Sequence, residues 1–248
     1  YKNKPLVGLD ISQTGIKIMA IDQKKWLVLG YGSLDLNPGQ VQSSLENPND
    51  TYLADSLRSL LENNIVGALH SDHVVVGIPT ARTYIRTFSI PTAEEKHLES
   101  AVGIELDQYI PIPASSLYMV YGILERDKEK AKATVGLSAV PAALVDICMN
   151  AVRSAGLNPV LTIPSIDAVA RVVEAAEEGD LCTLIVDIGP ASTDIAILDR
   201  GAIRVTGGVG IGGNNFTLDI AKKLSVPLEK AHQLKVLHGL SAGPKQAK

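Results

Sequence analysis

The sequence predicts an α/β protein with an internal repeat and a smaller α/β module inserted in its first part. Two observations carry that prediction: an aspartate-bearing hairpin pattern that occurs twice, and apolar strand runs that alternate with one-faced helical segments. Leu184 to Asp199, LIVDIGPASTDIAILD, runs apolar to Asp187, turns through Gly189, Pro190, Ala191 and Ser192, and resumes from Thr193 to Leu198. Apolar run, small-residue turn, apolar run is the pattern of a tight β-hairpin. Val7 to Asp22, VGLDISQTGIKIMAID, has the same order. Asp10 to Asp22 and Asp187 to Asp199 each span twelve positions, so one offset of 177 lays Ile11 on Ile188 and Ile18 on Ile195. Self-similarity of this kind marks a duplicated unit.

Leu184 to Val186 and Ile195 to Leu198 are apolar at nearly every position. Such strands are expected to be covered on both faces, with their turns emerging at one edge of the core. A carboxylate at that edge is costly unless an ion or a set of donors satisfies it. Small turn residues leave backbone N–H groups aimed at one spot, which favours an anion. Two such turns face to face would grip a polyphosphate. Asp10 and Asp187 would then reach Mg²⁺ through water, because Mg²⁺ gives up its hydration shell reluctantly. Either segment alone reads more simply as a hairpin with a polar turn; the matched aspartate spacing favours the shared site.

In chain order, Leu6 to Ile11, Gly15 to Ile21 and Trp26 to Gly32 read as three strands, Gly39 to Asp50 as a polar loop, and Tyr52 to Glu62 as a helix burying Leu53, Leu57, Leu60 and Leu61. Val74 to Ile78 is a buried strand stopped by Pro79, and Thr83 to Phe88 alternates. Residues 90–161 read as the inserted module. Thr92 and Glu95 suit a capping box before a helix carrying Leu98, Val102, Leu106 and Tyr109 that Pro111 ends. Strands follow at Leu117 to Leu124 and Ala133 to Val140. Pro141 then opens a helix facing Leu144, Cys148 and Val152 inward, capped by Gly156, before the apolar Val160 to Ile163. A continuous α/β core is the alternative to a separate module.

Ser165 to Glu178 reads as a helix with Ile166, Val169, Val173 and Ala176 inward, closed by Gly179, and the lobe boundary is expected between Glu178 and Cys182. After the second hairpin come a strand, Ala202 to Thr206, and the glycines 207, 208, 210, 212 and 213. These lead into a helix with Phe216, Ile220 and Leu224 on one side. Glycine before a helix start lets a phosphate approach the free N–H groups there. Pro227 opens a last helix bearing Lys235.

Composition bounds the partners. With 248 residues, 46% hydrophobic and 20% charged, the chain has enough apolar surface for a substantial core. A net charge of -4 without a basic stripe argues against a nucleic-acid footprint. Cys148 and Cys182 are too few for a disulfide framework and are expected to be small core residues. The histidines lack metal-ligand spacing. The longest apolar stretch, Val135 to Val152, is broken by Ser138, Pro141, Asp146 and Asn150, short of a spanning helix. The chain starts at Tyr1 rather than Met, which reads as a processed or partial form.

GLDISQTGIK at Gly8 to Lys17 and VDIGPASTD at Val186 to Asp194 resemble the two phosphate motifs of the actin, Hsp70 and FtsA superfamily. More closely, the chain resembles the PilM family of type IV pilus machines. That likeness rests on IPTAEEKHLESAVGIELDQYIPIP at Ile90 to Pro113, AVRSAGLNPV at Ala151 to Val160 and IGGNNFTLDIAKKLSVPLEKAHQLK at Ile211 to Lys235. The resemblance implies an actin-like fold of duplicated RNase H-like lobes: 1–89, continued by a helix at 164–180, an inserted subdomain at 90–161, and 181–248, incomplete at its C-terminus. It implies a site for ATP or ADP with Mg²⁺. Asp10 and Asp187 are the metal-side carboxylates, Ser12, Gln13, Thr14 and Gly15 with Gly189, Ser192 and Thr193 the donors, and Lys17 a phosphate contact. Gly212, Gly213 and Asn214 would lie under the nucleotide, with Lys235 towards the ribose or base. Three departures stand out: Ser12 replaces a glycine, His232 replaces a glutamate, and the chain ends at Lys248 before the family's glycine-rich adenosine segment. The implied function is a cytoplasmic scaffold, at most a weak ATPase, peripheral to the inner membrane. It would dock the cytoplasmic N-terminal tail of a PilN-like protein beside the pilus assembly ATPase complex. The alternatives are a small-molecule kinase or phosphotransferase on the same fold, and a filament adaptor, which would need an amphipathic membrane tail.

Overall fold

The computed structural model describes residues 6–176 and 181–240. β1 (Leu6–Ile11), β2 (Gly15–Asp22) and β3 (Leu27–Asp35) form an antiparallel meander. The chain passes through α1 (Pro38–Glu46) and α2 (Tyr52–Asn63), adds the short β4 (Ile65–Gly67) beside β3, and returns as β5 (His73–Ile78), parallel to β1. β6 (Tyr84–Pro91), α3 (Leu98–Tyr109), β7 (Leu117–Asp127) and β8 (Lys132–Pro141) follow. Next, α4 (Ala142–Ser154) leads to β9 (Asn158–Pro164), parallel to β5. After α5 (Ser165–Ala176) comes a second meander, β10 (Thr183–Ile188), β11 (Thr193–Asp199) and β12 (Ala202–Val209), then α6 (Gly213–Leu224) and α7 (Leu228–His238). The two sheets run β4-β3-β2-β1-β5-β9 and β10-β11-β12-β6-β8-β7.

The duplication holds at the level of single hydrogen bonds. Asp10 pairs across the ladder with Lys17, and Asp187 with Asp194, the positions related by the offset. In the first turn the Ser12 N–H donates to the Gly15 carbonyl at 2.9 Å; in the second the Gly189 N–H donates to Ser192 at 2.9 Å. Alternation buries Val7, Leu9 and Ile11 of β1 with Val74, Val76 and Ile78 of β5 against α2 and α4. The inward α2 leucines 53, 57 and 60 are where their helical spacing places them.

Several elements depart from expectation, each for an identifiable reason. The stretch 39–50, expected as a loop, contains α1. Asn37 caps it by accepting hydrogen bonds from the Gly39 and Gln40 N–H groups, Pro38 opens it, and Val41, Ser44 and Leu45 turn inward. Asn37→Ala is expected to destabilise the fold by about 1 kcal/mol, seen as a lower denaturation midpoint in urea. The capping box at Thr92 and Glu95 does not form. Thr92 donates to the Ala131 carbonyl, Glu95 pairs with Arg126, and 92–97 is a 3-10 turn before α3 begins. Ala176 is exposed rather than inward; Glu178 and Gly179 lie outside the described residues.

Residues 90–161 divide between the sheets. Ile90, Val102, Leu106, Leu117 and Val135 share one core, while Leu144, Cys148 and Val152 join the first-lobe core and β9 extends the first sheet. The cause is a parallel crossover: α4 covers the sheet on its way to the open side of β5. β6, read with the first lobe, pairs instead with β8 and β12.

β10 was expected to be covered on both faces, yet Leu184, Val186 and Ile188 are 63%, 49% and 57% exposed. β1 sits between β2 and β5, whereas β10 is an edge strand. Of its apolar residues only Ile185 is buried, in one core cluster with Ile166 and Ala170 of α5 and Ala196 and Leu198 of β11. Phe216 and Leu224 of α6 are likewise about half exposed. Cys182 is exposed; Cys148 is buried, and burial pushes its thiol up to about 12, so it stays protonated.

Candidate functional site

The two turns open onto one cleft of about 200 Å³. Asp10, Ser12, Gln13, Thr14 and Lys17 line it from the first hairpin, and Asp187, Gly189 and Ser192 from the second. A larger cavity of about 570 Å³ adjoins it, sharing Asp10, Lys17, Ser165 and Asp187 but otherwise walled by groups such as Met19, Tyr31 and Val169. A polar cleft grading into an apolar cavity is the form of a small-ligand site.

Other expected site residues stand behind this surface. The Gly213 N–H donates to the Gly189 carbonyl at 2.9 Å and the Asn214 N–H to the Pro190 carbonyl at 2.8 Å. The first N–H groups of α6 are therefore spent on the second turn instead of being free for a phosphate. Gly212 explains why: a Cβ there would lie 2.4 Å from the Gly189 carbonyl oxygen and 2.7 Å from Pro190. Lys235 donates to the Gly213 carbonyl at 2.8 Å, tying α7 to α6. The Thr193 hydroxyl donates to Ile211 at 2.7 Å and that of Ser12 to Gly15 at 2.9 Å, so both protons stay within the fold. Gly15 supports the first turn as the carbonyl that accepts both the Ser12 hydroxyl and the Ser12 N–H.

Two residues absent from the sequence-based set face the cleft. Ser165, at the start of α5, donates to Asp10 Oδ1 at 2.6 Å. Asp194 lies across the ladder from Asp187, and its Oδ1 is buried without a hydrogen-bond partner. Burial, with the Asp187 charge added, holds its carboxyl above the usual range. The offset that carries Asp10 to Asp187 also carries Lys17 to Asp194, and that signal was available in the sequence.

An orphaned carboxylate oxygen beside a second carboxylate suits a cation. No group of three or more His, Cys, Asp or Glu among the described residues is close enough to chelate a metal directly. Were Mg²⁺ bound here, Asp10, Asp187 and Asp194 would hold it through its water shell, and it would neutralise phosphate charge between the turns. Charging Asp194 opposes folding. Because its folded pKa is raised, the cost is absent below the carboxylate range and complete above the folded pKa. Asp194→Asn is expected to raise the thermal midpoint at neutral pH by roughly one or two degrees, a modest figure because the group is part-exposed. Melting curves should show the gain vanish as the pH falls through the carboxylate range.

Comparison with known proteins follows the same lines. A solved PilM–PilN type IV pilus biogenesis complex aligns with a TM-score of 0.72 and 23% identity, over 94% of this chain and 70% of that one. Ethanolamine utilization protein EutJ from Carboxydothermus hydrogenoformans aligns with a TM-score of 0.52 and 19% identity, over 93% and 60%. These likenesses establish the actin-like α/β fold. Cell division protein FtsA of Neisseria meningitidis serogroup B is 39% identical over 75 residues, 30% of this chain and 18% of that protein. FtsA of Pseudomonas aeruginosa is 31% identical over 159 residues, 59% and 37%. The chain thus spans well under half the length of these curated relatives. The family model for type IV pilus assembly protein PilM matches residues 8–246, and the chain accordingly belongs to the PilM family.

Proposed function

We propose that this chain is a nucleotide-binding scaffold of the type IV pilus assembly platform, holding ATP or ADP with Mg²⁺ and hydrolysing it slowly at most. The observation that carries the reading is the pair of equivalent turns, each closed by the same backbone hydrogen bond, lining one cleft. Two opposed small-residue turns on one small cleft, with Lys17 and the carboxylates at its edge, suit a phosphate chain and its cation. Fluorescence titration with a labelled ATP analogue tests this: Mg²⁺-dependent binding is expected, with turnover well below the ~1 per second at the low end of ordinary enzymes. Rapid phosphate transfer to a small metabolite would move the reading to a kinase.

The docking partner in this reading is the cytoplasmic N-terminal tail of a PilN-like membrane protein, which would hold the chain at the inner face of the membrane near the assembly ATPase. No helix among the described residues is long and apolar enough to cross a membrane itself. Support comes from the PilM–PilN composition of the similar complex and from a cavity of about 240 Å³ between α3, β6 and β12. There the Arg86 guanidinium lies 3.6 Å from the centre of the Tyr109 ring and 2.8 Å from Glu105, between Ile85, Ile110 and Val205. Apolar walls around an internally paired Arg86 and Glu105 suit an extended segment with apolar anchors. Fluorescence anisotropy with short cytoplasmic peptides of single-pass proteins encoded beside this one is the test. Binding that Arg86→Glu weakens at least tenfold supports the docking; failure of every such peptide removes it.

A further inference from the structure

Asp10 does not stand in the cleft unaided. Its Oδ1 accepts from the Ser165 hydroxyl at 2.6 Å, and the same hydroxyl oxygen lies 3.0 Å from the Ile78 carbonyl. One proton faces two acceptors, and the carboxylate, nearer and charged, takes it in a charge-assisted bond. Sheet order builds this meeting. β5 lies between β1 and β9, Asp10 stands opposite Gly77, Gly77 stands opposite Ile163, and Ser165 follows directly on the end of β9. Gly77 makes the room: a methyl there would lie 2.9 Å from Ser165 Oγ and 3.0 Å from Asp10 Oδ1. Three elements distant in sequence converge on one carboxylate oxygen, and the position between them carries no side chain.

We propose that Ser165 is the positioning residue of the site: its hydroxyl fixes the Asp10 carboxylate that receives the water shell of the nucleotide's Mg²⁺. The proposal rests on the nucleotide-binding reading. Hydrogen bonds that orient a metal-side ligand are worth on the order of 10- to 100-fold in metal affinity.

Magnesium titration of the binding of a fluorescent ATP analogue tests the role. Ser165→Ala is expected to raise the Mg²⁺ concentration for half-maximal binding about tenfold, with binding in EDTA unchanged. Ser165→Thr should restore the wild-type value. Ser165→Cys keeps the side chain's shape but offers only a weak donor, so it should shift the midpoint in the same direction, and it decides the matter should Ser165→Ala fold poorly. An unshifted magnesium midpoint in Ser165→Cys, or in folded Ser165→Ala, overturns the role of Ser165 alone. Wild-type protein that binds no nucleotide with Mg²⁺ overturns the reading beneath it, and this role with it.

Discussion

Asp187→Ala is expected to weaken Mg²⁺-dependent ATP binding by about 100-fold while leaving the fold intact. Asp187 sits on the cleft at the end of β10, where it contributes charge to the site and faces Asp194 across the ladder. Like charges opposite one another on a sheet are destabilising. Removing one should therefore leave the thermal midpoint unchanged or slightly higher, even as ligand affinity collapses. That combination separates a binding residue from a structural one. Isothermal titration beside a melting curve measures both, and unchanged affinity would strike the cleft as the nucleotide site.

Gly212→Ala should be the most damaging of the glycine substitutions near the site. The added methyl meets backbone atoms of Gly189 and Pro190 at 2.4 to 2.7 Å, and backbone yields far less readily than a side-chain tip. Separating α6 from the second turn also strains the bonds from the Gly213 and Asn214 N–H groups. Crowding of this kind costs about 1–3 kcal/mol, a fall of several degrees in thermal midpoint for a chain this size. Nucleotide affinity should fall with it, because the displaced turn carries Gly189 and Ser192. Gly213→Ala is the control. Its methyl would find nothing nearer than Lys235 Nζ at 3.5 Å, an ordinary contact, and both readouts should stay near wild type. Equal effects of the two substitutions would defeat the explanation.

The contrast between those two glycines shows where sequence reasoning stopped. A run of glycines ahead of a helix points to close approach of something to the helix start. It does not say whether the visitor is a phosphate or the protein's own backbone. The N–H groups of α6 are occupied by a turn more than twenty residues upstream, and no local pattern encodes that choice. The same limit explains α4 and β9. Their helix and strand character was plain from Leu144, Cys148 and Val152 and from the apolar run before Pro164. Their membership of the first lobe was not, because it depends on the open side of β5.

By itself the sequence determined the duplicated hairpins, the offset between them and the inward faces of α2 and α4. Each of these rests on periodicities and turn residues within about twenty positions, where side-chain direction follows directly from backbone geometry. It also determined the family, through motifs spread along most of the chain. Only the tertiary structure decided which sheet each element joined, that β10 stands at an edge, and that Ser165 reaches Asp10 across 155 positions. Strand order sets those meetings, and strand order is chosen by which apolar faces and unpaired backbone edges best satisfy one another over the whole chain.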